Sequence, residues 1–432
     1  MSADILADLE ARGLLTQSTD RAALAAHLAD GARTLYCGFD PSADSLHVGN
    51  LVPLLALRRF QLAGHRPILL LGGATGLIGD PSGKSEERQL NSTELVASYV
   101  DSIGAQARRF LDFEGPQAAH VVNNLDWTGG RSVIEFLRDI GKHFSVNAMI
   151  QRDSVRLRLE REGQGISYTE FSYMLLQAMD FLELAKTDAC TLQIGGSDQW
   201  GNMVSGADLI RRTLQREAHV LTMPLITRAD GTKFGKSAAG AVWLDPARTS
   251  PYSFHQFWLN VADEDVIRFL RYFTFVELDE VAALETELAA DPAARKAQQR
   301  LAAAVTDLVH GSEARTGAER IAQALFSGSL DELTEADLAA LAQDGMEKTA
   351  IEAESVGLLE AMVRSGLAAS NGAARKLVQS GGVSINGVKQ ADPTRQLDWS
   401  DARFGRYFLL RRGKKQWHLM LRETGSAASK TG

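Results

Sequence analysis

The sequence predicts a doubly wound α/β domain, then an all-α domain, then a small basic α+β domain, and three observations carry that prediction. A strand–helix–strand crossover occupies Arg33 to Leu71. A helical pattern rich in Ala and Glu, with no convincing strand, runs from about Pro251 to Leu325. The charge changes sign near Val356. The 432 residues, 45% apolar and 23% charged, suit roughly three domains of ordinary size and exclude a disordered or collagen-like chain. The expected divisions are 1–228 for the α/β domain, 229–335 for the helical domain, 336–354 for a polar linker and 355–432 for the basic domain.

In the first crossover, Thr34-Leu35-Tyr36-Cys37 is β-prone, and a Pro-Ser-Ala-Asp loop leads to a helix beginning near His47. Val48, Leu51, Val52 and Leu55 follow the i, i+3, i+4, i+7 spacing of one buried helix face, with Pro53 tolerated in the first turn. Gly64 ends the helix, and Pro67-Ile68-Leu69-Leu70-Leu71 is a continuous apolar run of the kind buried in a parallel sheet. Further strands are expected at His120 to Val122, Thr191 to Ile194 and Val220 to Thr227.

The start lacks the basic and apolar regions of a signal peptide, and no stretch approaches the ~20 apolar residues of a membrane span. Cys37 and Cys190 lie far apart with no C-x-x-C, which supports neither a disulfide framework nor a cysteine zinc site and makes the cytoplasm the expected compartment. From Val356 onward 13 Lys and Arg face 5 Asp and Glu, within a chain of net charge −8. A basic module on an acidic body suggests a local site for a polyanion, nucleic acid foremost, or else a solvated basic face.

Four segments carry candidate chemistry. Asp40-Pro-Ser-Ala-Asp-Ser-Leu-His47-Val-Gly49-Asn50 runs from a strand into a helix start, where unpaired N–H groups and the macrodipole favour anions. Gly49 permits close approach of a nucleotide and His47 can donate to phosphate, although H-x-G-N alone fits a helix-capping histidine equally well. The run Gly72 to Ser85 tempts a P-loop reading, but the glycine required at 78 is isoleucine and Pro81 removes an N–H. What remains is a glycine-rich loop after a strand end, with Asp80 available for an ammonium group. Tyr173, Gln177 and Asp180 share one face of a helix from Tyr168 to Ala185 whose neighbours are apolar, so they form either a core network or a pocket for a small polar ligand. Gln193 to Gln199 follows another strand end and can line the same cleft. Lys233-Phe-Gly-Lys236-Ser237 suits a mobile loop that closes on polyphosphate.

With these residues in order, the chain resembles the class I aminoacyl-tRNA synthetases over nearly its whole length. Asp40 to Asn50 is similar to the family's HIGH region and Lys233 to Ser237 to its KMSKS loop. Tyr36 to Asp40, the Gly72 to Gly83 loop, Thr169 to Asp180 and Gln193 to Asn202 resemble the tyrosine-specific branch. Asn50 stands where the motif name has its second histidine, and Phe234-Gly235 replaces Met-Ser. The resemblance implies a Rossmann-like nucleotide-binding domain, activation of L-tyrosine by ATP with Mg²⁺, and transfer to the terminal adenosine of tRNA(Tyr). It implies a cytoplasmic homodimer with no membrane or DNA partner and no protein-bound structural metal.

It further assigns His47, Asn50, Lys233, Lys236 and Ser237 to catalysis. Tyr36 and Asp180 fall at the phenol, Asp80, Tyr173 and Gln177 at the ammonium group, and Gln199 beside them. Gly38, Asp40, Ser42, His47, Gly49, Gly196, Asp198, Lys233 and Lys236 fall at ATP or the adenylate. The tail reads as short helices at Leu358 to Val363 and Gly372 to Gln379, a strand at Val383 to Ile385 and an Asn386-Gly387 turn. It is similar to the alpha-L RNA-binding module, with Arg375, Lys376, Arg411, Arg412, Lys414 and Lys415 facing RNA. Alternatives are a tryptophan-specific enzyme of the same fold, an RNA-binding protein on a retired synthetase body, and a nucleotidyltransferase that does not use tRNA.

Overall fold

The computed structural model describes residues 4–82, 90–152, 155–156, 159–160, 165–232, 234–237 and 240–423, with Lys236 and Ser237 described by backbone alone. Its contacts divide into two compact units, residues 1–245 with 261–301 and residues 246–260 with 302–432.

The first unit is built on six strands: β1 (Gln17–Ser18), β2 (Thr34–Phe39), β3 (Arg66–Leu71), β4 (His120–Asn123), β5 (Cys190–Gly196) and β6 (His219–Met223). They lie in the order β1-β6-β5-β2-β3-β4. β2 to β6 pair in parallel, while β1 runs antiparallel on the edge. After β2 the chain winds to one side through β3 and β4, then returns to the other through β5 and β6. This leaves a switch point between β2 and β5, where such sheets open a crevice at their carboxyl ends. Residues 67–71 of β3 are all buried, as expected of a central parallel strand covered on both faces.

One expected strand needs correction, and one strand was not expected. The strand expected over Val220 to Thr227 stops at Met223, because Pro224 has no N–H for the ladder, and Leu225 is left 53% exposed. The β1 edge is two polar residues long and carries no hydrophobic signal that a sequence reading could detect.

The helical stretch is present as Pro251–Leu259, Asp263–Phe273, Leu278–Ala290, Lys296–His310 and Ser312–Ser327. The compact units do not follow the 229–335 division: residues 261–301 belong with the α/β unit and 246–260 with the second. Nor is 336–354 a linker. Thr334 caps a helix at Glu335–Ala340, Leu338 and Leu341 are buried, and Lys348–Ile351 enters a sheet. Its polar composition reflects one exposed face over a buried one.

The second unit holds a five-stranded sheet in the spatial order Val388–Lys389, Val383–Ile385, Tyr407–Arg412, Gln416–Arg422 and Lys348–Ile351, the last pair parallel. Its two faces bury different clusters. Phe408, Leu410 and Met420 pack with residues of helices Leu358–Arg364 and Asn371–Gln379. Tyr407, Leu409 and Leu419 pack with Ile321 and Ala324 of Ser312–Ser327. Asn386 and Gly387 both take positive φ, 47° and 84°, as a two-residue hairpin turn requires. Among the described residues no helix is long and apolar enough to cross a membrane.

Candidate active site

The crevice at the carboxyl ends of β2, β3 and β5 has about 1090 Å³ of empty space, the open solvent at its mouth included. Tyr36, Gly38, Asp40, Ser42, His47, Asn50, Asp80, Tyr173, Gln177, Asp180, Gly196, Asp198 and Gln199 all line it. Gly49 lies between His47 and Asn50 on the same turn. Lys233 lies outside the described residues, as do the side chains of Lys236 and Ser237 and the Gly83 to Ser85 end of the glycine-rich loop.

At the deep end, Asp180 is 2% exposed and its two oxygens accept from different donors: Oδ1 from Trp127 Nε1 at 2.9 Å, Oδ2 from Asn124 Nδ2 at 3.0 Å. Burial pushes this carboxyl up to about 7, against the pull of those two donors. Tyr36 is also buried, and its hydroxyl has no hydrogen-bond partner among the described residues. Burial, then the neighbouring Asp180, raises its pKa. A buried phenol and a buried carboxylate, held apart from water, suit a ligand that brings its own hydroxyl.

A continuous polar chain runs from there toward the mouth. Asn124 Nδ2 donates to Thr75 Oγ1 at 3.0 Å, and Thr75 donates to Asp40 Oδ1 at 2.7 Å. Tyr173 donates to Asp40 Oδ2 at 2.6 Å. Gly72 is required beside it, since a Cβ there would overlap both Asp40 Oδ1 and Thr75 Oγ1. Opposite, Gln199 Nε2 donates to Asp80 Oδ2 at 2.7 Å. Asn202 Nδ2 is shared between Gln177 Oε1 at 3.0 Å and Gln199 Oε1 at 3.3 Å. The Tyr173, Gln177 and Asp180 stripe is thus a hydrogen-bonded network and a cavity wall at once.

At the mouth, His47 and Asn50 cap a 3₁₀ turn, Val48–Asn50, that leads into helix Leu51–Leu62. His47 Nδ1 accepts from the Gly49 N–H, and Asn50 Oδ1 accepts from the His47 N–H, both at 3.0 Å. Nδ1 is therefore an acceptor here, which puts the ring proton on Nε2. The capping role and an anion-facing role are compatible.

The Phe234-Gly235 backbone lies directly against this turn. Gly235 has φ +95°, and a Cβ on it would come 2.9 Å from Val48 Cγ2. Val242 N–H donates to Gly235 O at 3.0 Å, and Lys236 and Ser237 pair with Gly240 and Ala241 as a short hairpin. Phe234 is 8% exposed, its ring 4.3 Å from that of Phe269.

Sequence reasoning missed Asn124 and Trp127. They follow β4 in a segment with no periodicity, and the only available signal was the position of Asn123-Asn124 just past a strand's carboxyl end. Cys37 also lines the cleft, but burial pushes its thiol up to about 12, so it offers no thiolate at neutral pH. Among the described residues no group of three or more His, Cys, Asp or Glu could hold a metal.

Fold and cleft together define a doubly wound α/β protein with a polar crevice at the carboxyl ends of its central strands. The family of class I tRNA synthetases for tryptophan and tyrosine matches residues 29–327, and the SYY-like C-terminal domain of tyrosine–tRNA ligases matches 337–420. The tyrosine–tRNA ligase of Aliivibrio salmonicida is 56% identical over 97% of this chain and 98% of its own. That of Yersinia pseudotuberculosis is 56% identical over 97% and 99%. Among solved structures, a C-terminally truncated Aspergillus nidulans mitochondrial tyrosyl-tRNA synthetase is similar, with a TM-score of 0.67 and 30% identity over 75% of this chain and 94% of that one. The chain belongs to the class I tRNA synthetases, in the tryptophan and tyrosine branch.

Proposed function

We propose that this chain is a tyrosine–tRNA ligase, and the observation that supports it most is the buried Asp180 carboxylate facing the unpartnered Tyr36 hydroxyl at the closed end of the cleft. An indole N–H could donate to the carboxylate but offers no acceptor to the Tyr36 hydroxyl; a phenol donates to one and accepts from the other. The ammonium group of tyrosine falls to Asp80, Tyr173 and Gln177, which places the carboxylate toward Gln199 and the mouth. Asp40, Gly38, Ser42, Gly49, Gly196 and Asp198 face ATP, with Mg²⁺ carried on its phosphates.

The chemistry requires no enzyme nucleophile. The ionised tyrosine carboxylate attacks the α-phosphorus, the bond to the β-phosphate oxygen breaks, and pyrophosphate leaves. Rate then comes from alignment and from donors placed where charge builds up: His47 Nε2 and Asn50 Nδ2 on one side, Lys233, Lys236 and Ser237 on the other. In the second step a hydroxyl of the terminal adenosine of tRNA(Tyr) takes the acyl group and AMP leaves. Arg375, Lys376, Arg411, Arg412, Lys414 and Lys415 are assigned to the RNA. Such an enzyme belongs in the cytoplasm.

The test is amino-acid-dependent exchange of pyrophosphate into ATP, run with tyrosine, tryptophan and phenylalanine and without tRNA. Exchange with tyrosine alone is expected; exchange with tryptophan would reassign the substrate, and none from folded protein would reject the ligase reading.

The same assay carries a pH prediction. A phenol donates best to an ionised partner, so kcat/KM for tyrosine is expected to fall as pH drops through about 7, the value of the Asp180 carboxyl. Asp180→Asn should flatten that limb. The folded-state value lies above that of an unfolded chain, so this group's contribution to stability is complete below the unfolded value and is lost as pH rises through about 7. The site holds its charge against the fold's preference.

The homodimer reading is supported by an apolar surface on the first unit, where Val133, Ile134 and Val146 are 72%, 70% and 57% exposed. Sedimentation velocity of the full chain should give twice the 46.9 kDa chain mass, and a single-chain mass would remove that reading.

A further inference from the structure

Behind the wall of the cleft, a single asparagine ties two helices together. Helix Trp200–Leu214 shares a buried cluster with helix Tyr168–Thr187, Met203, Leu209 and Ile210 from one and Met174, Ala178 and Phe181 from the other. The approach is close at Gly206, where a Cβ would come 3.1 Å from Phe181 Cβ. Asn202 stands about one turn before Gly206, and Gln177 about one turn before Phe181. Because the backbones are drawn together there, a side chain as short as asparagine, 4% exposed, reaches Gln177.

The direction of the hydrogen bonds in this corner is fixed from one end. A carboxylate only accepts, and Asp80 takes the Ser82 N–H on Oδ1 at 2.9 Å and Gln199 Nε2 on Oδ2 at 2.7 Å. The Gln199 amide therefore turns its nitrogen to Asp80, which leaves its Oε1 to accept from Asn202 Nδ2 at 3.3 Å. The same Nδ2 carries a second hydrogen, and it donates to Gln177 Oε1 at 3.0 Å. Each amide of the series is thus held in one of its two flips. Gln177 and Gln199 both line the crevice.

We propose that Asn202 is a positioning residue for the substrate's α-ammonium group: it passes the orientation set by Asp80 and Gln199 on to Gln177, whose carbonyl oxygen keeps a second lone pair for the ammonium. Without the Asn202 donor the Gln177 amide is free to turn over, and one of its flips puts an N–H against a group that has only donors. The phenol end is outside this series, because Asp180 takes its donors from Asn124 and Trp127. The inference rests on the tyrosine–tRNA ligase reading and deepens it.

The experiment is equilibrium binding of three ligands to the full-length chain: tyrosine, tyramine, which lacks the carboxylate, and 3-(4-hydroxyphenyl)propionate, which lacks the ammonium. Asn202→Ala is expected to weaken tyrosine and tyramine about tenfold, the lower end for one hydrogen bond to a charged group, and to leave the propionate unchanged. Asn202→Leu, which refills the volume without a donor, should show the same pattern, with folding of both variants checked by thermal melting. In a Gln177→Ala background, Asn202→Ala should add nothing to the loss for tyramine. Equal losses for all three ligands, no loss for any, or recovery of tyramine binding in Asn202→Leu overturns the proposal. Tyrosine-dependent pyrophosphate exchange is read in the parent: its absence fails the ligase reading, whereas its presence together with any of those results fails this inference alone.

Discussion

Replacing Asp180 with alanine is expected to lower kcat/KM for tyrosine by roughly 10³-fold or more and to collapse its preference over phenylalanine, which is about 10⁵ for tyrosine-specific synthetases as a class. The loss has two sources. The substrate hydroxyl loses a charged, desolvated acceptor, and Trp127 Nε1, which donates to Asp180 at 2.9 Å, is stranded in a buried site. Since the alanine variant also opens a cavity, Asp180→Asn provides the control. It keeps the volume and one acceptor oxygen, but its amide nitrogen meets a donor from Asn124 or Trp127. A folded Asn variant, checked by thermal melting, should retain pyrophosphate exchange at saturating tyrosine and lose discrimination. Survival of both tyrosine use and discrimination in that protein would remove Asp180 from the phenol site.

Lys236→Ala should act on rate and leave binding alone. Phe234 is buried beside Phe269, Gly235 sits on Val48, and the Lys236 backbone pairs with Ala241. The backbone on either side of Lys236 is thereby fixed next to the His47–Asn50 turn. On the proposed function, a cation from this backbone position is assigned to the polyphosphate, whose charge grows as the bond to pyrophosphate breaks. Loss of such a group costs about 3–4 kcal/mol of transition-state stabilisation, a factor of roughly 10² to 10³. Single-turnover adenylate formation should show that drop while equilibrium titration with tyrosine shows none. An equal loss in both would make Lys236 a ground-state tyrosine contact.

The sequence was most legible where spacing and chemistry coincide. Tyr173, Gln177 and Asp180 could be placed on one wall because a buried helix fixes side chains three and four apart. The β2 and β3 crossover was readable because central parallel strands leave a continuous apolar run. What could not be read depends on long-range contact. Asn124 and Trp127 reach Asp180 across 56 and 53 residues of chain, from a segment with no periodicity of its own. Residues 336–354 looked like a linker because half of each element faces water, and only the pairing with Gln416–Arg422 shows that Lys348–Ile351 is a strand. The helical stretch was recognisable as helix, but composition has no means of registering that its pieces pack into different units.

That parallel pairing bears on how the chain is made and dismantled. The strand Lys348–Ile351 leaves the ribosome about 65 residues before Gln416–Arg422, its ladder partner among the described residues, so the sheet edge it completes cannot form until synthesis is nearly finished. The C-terminal module is consequently not a bead that can be cut off or grafted at residue 355. A fragment starting there lacks an edge strand, while a chain stopped there leaves Ile321, Ala324, Leu338 and Leu341 without the Tyr407, Leu409 and Leu419 side chains that cover them. Borrowing the module for another protein means beginning upstream of Lys348.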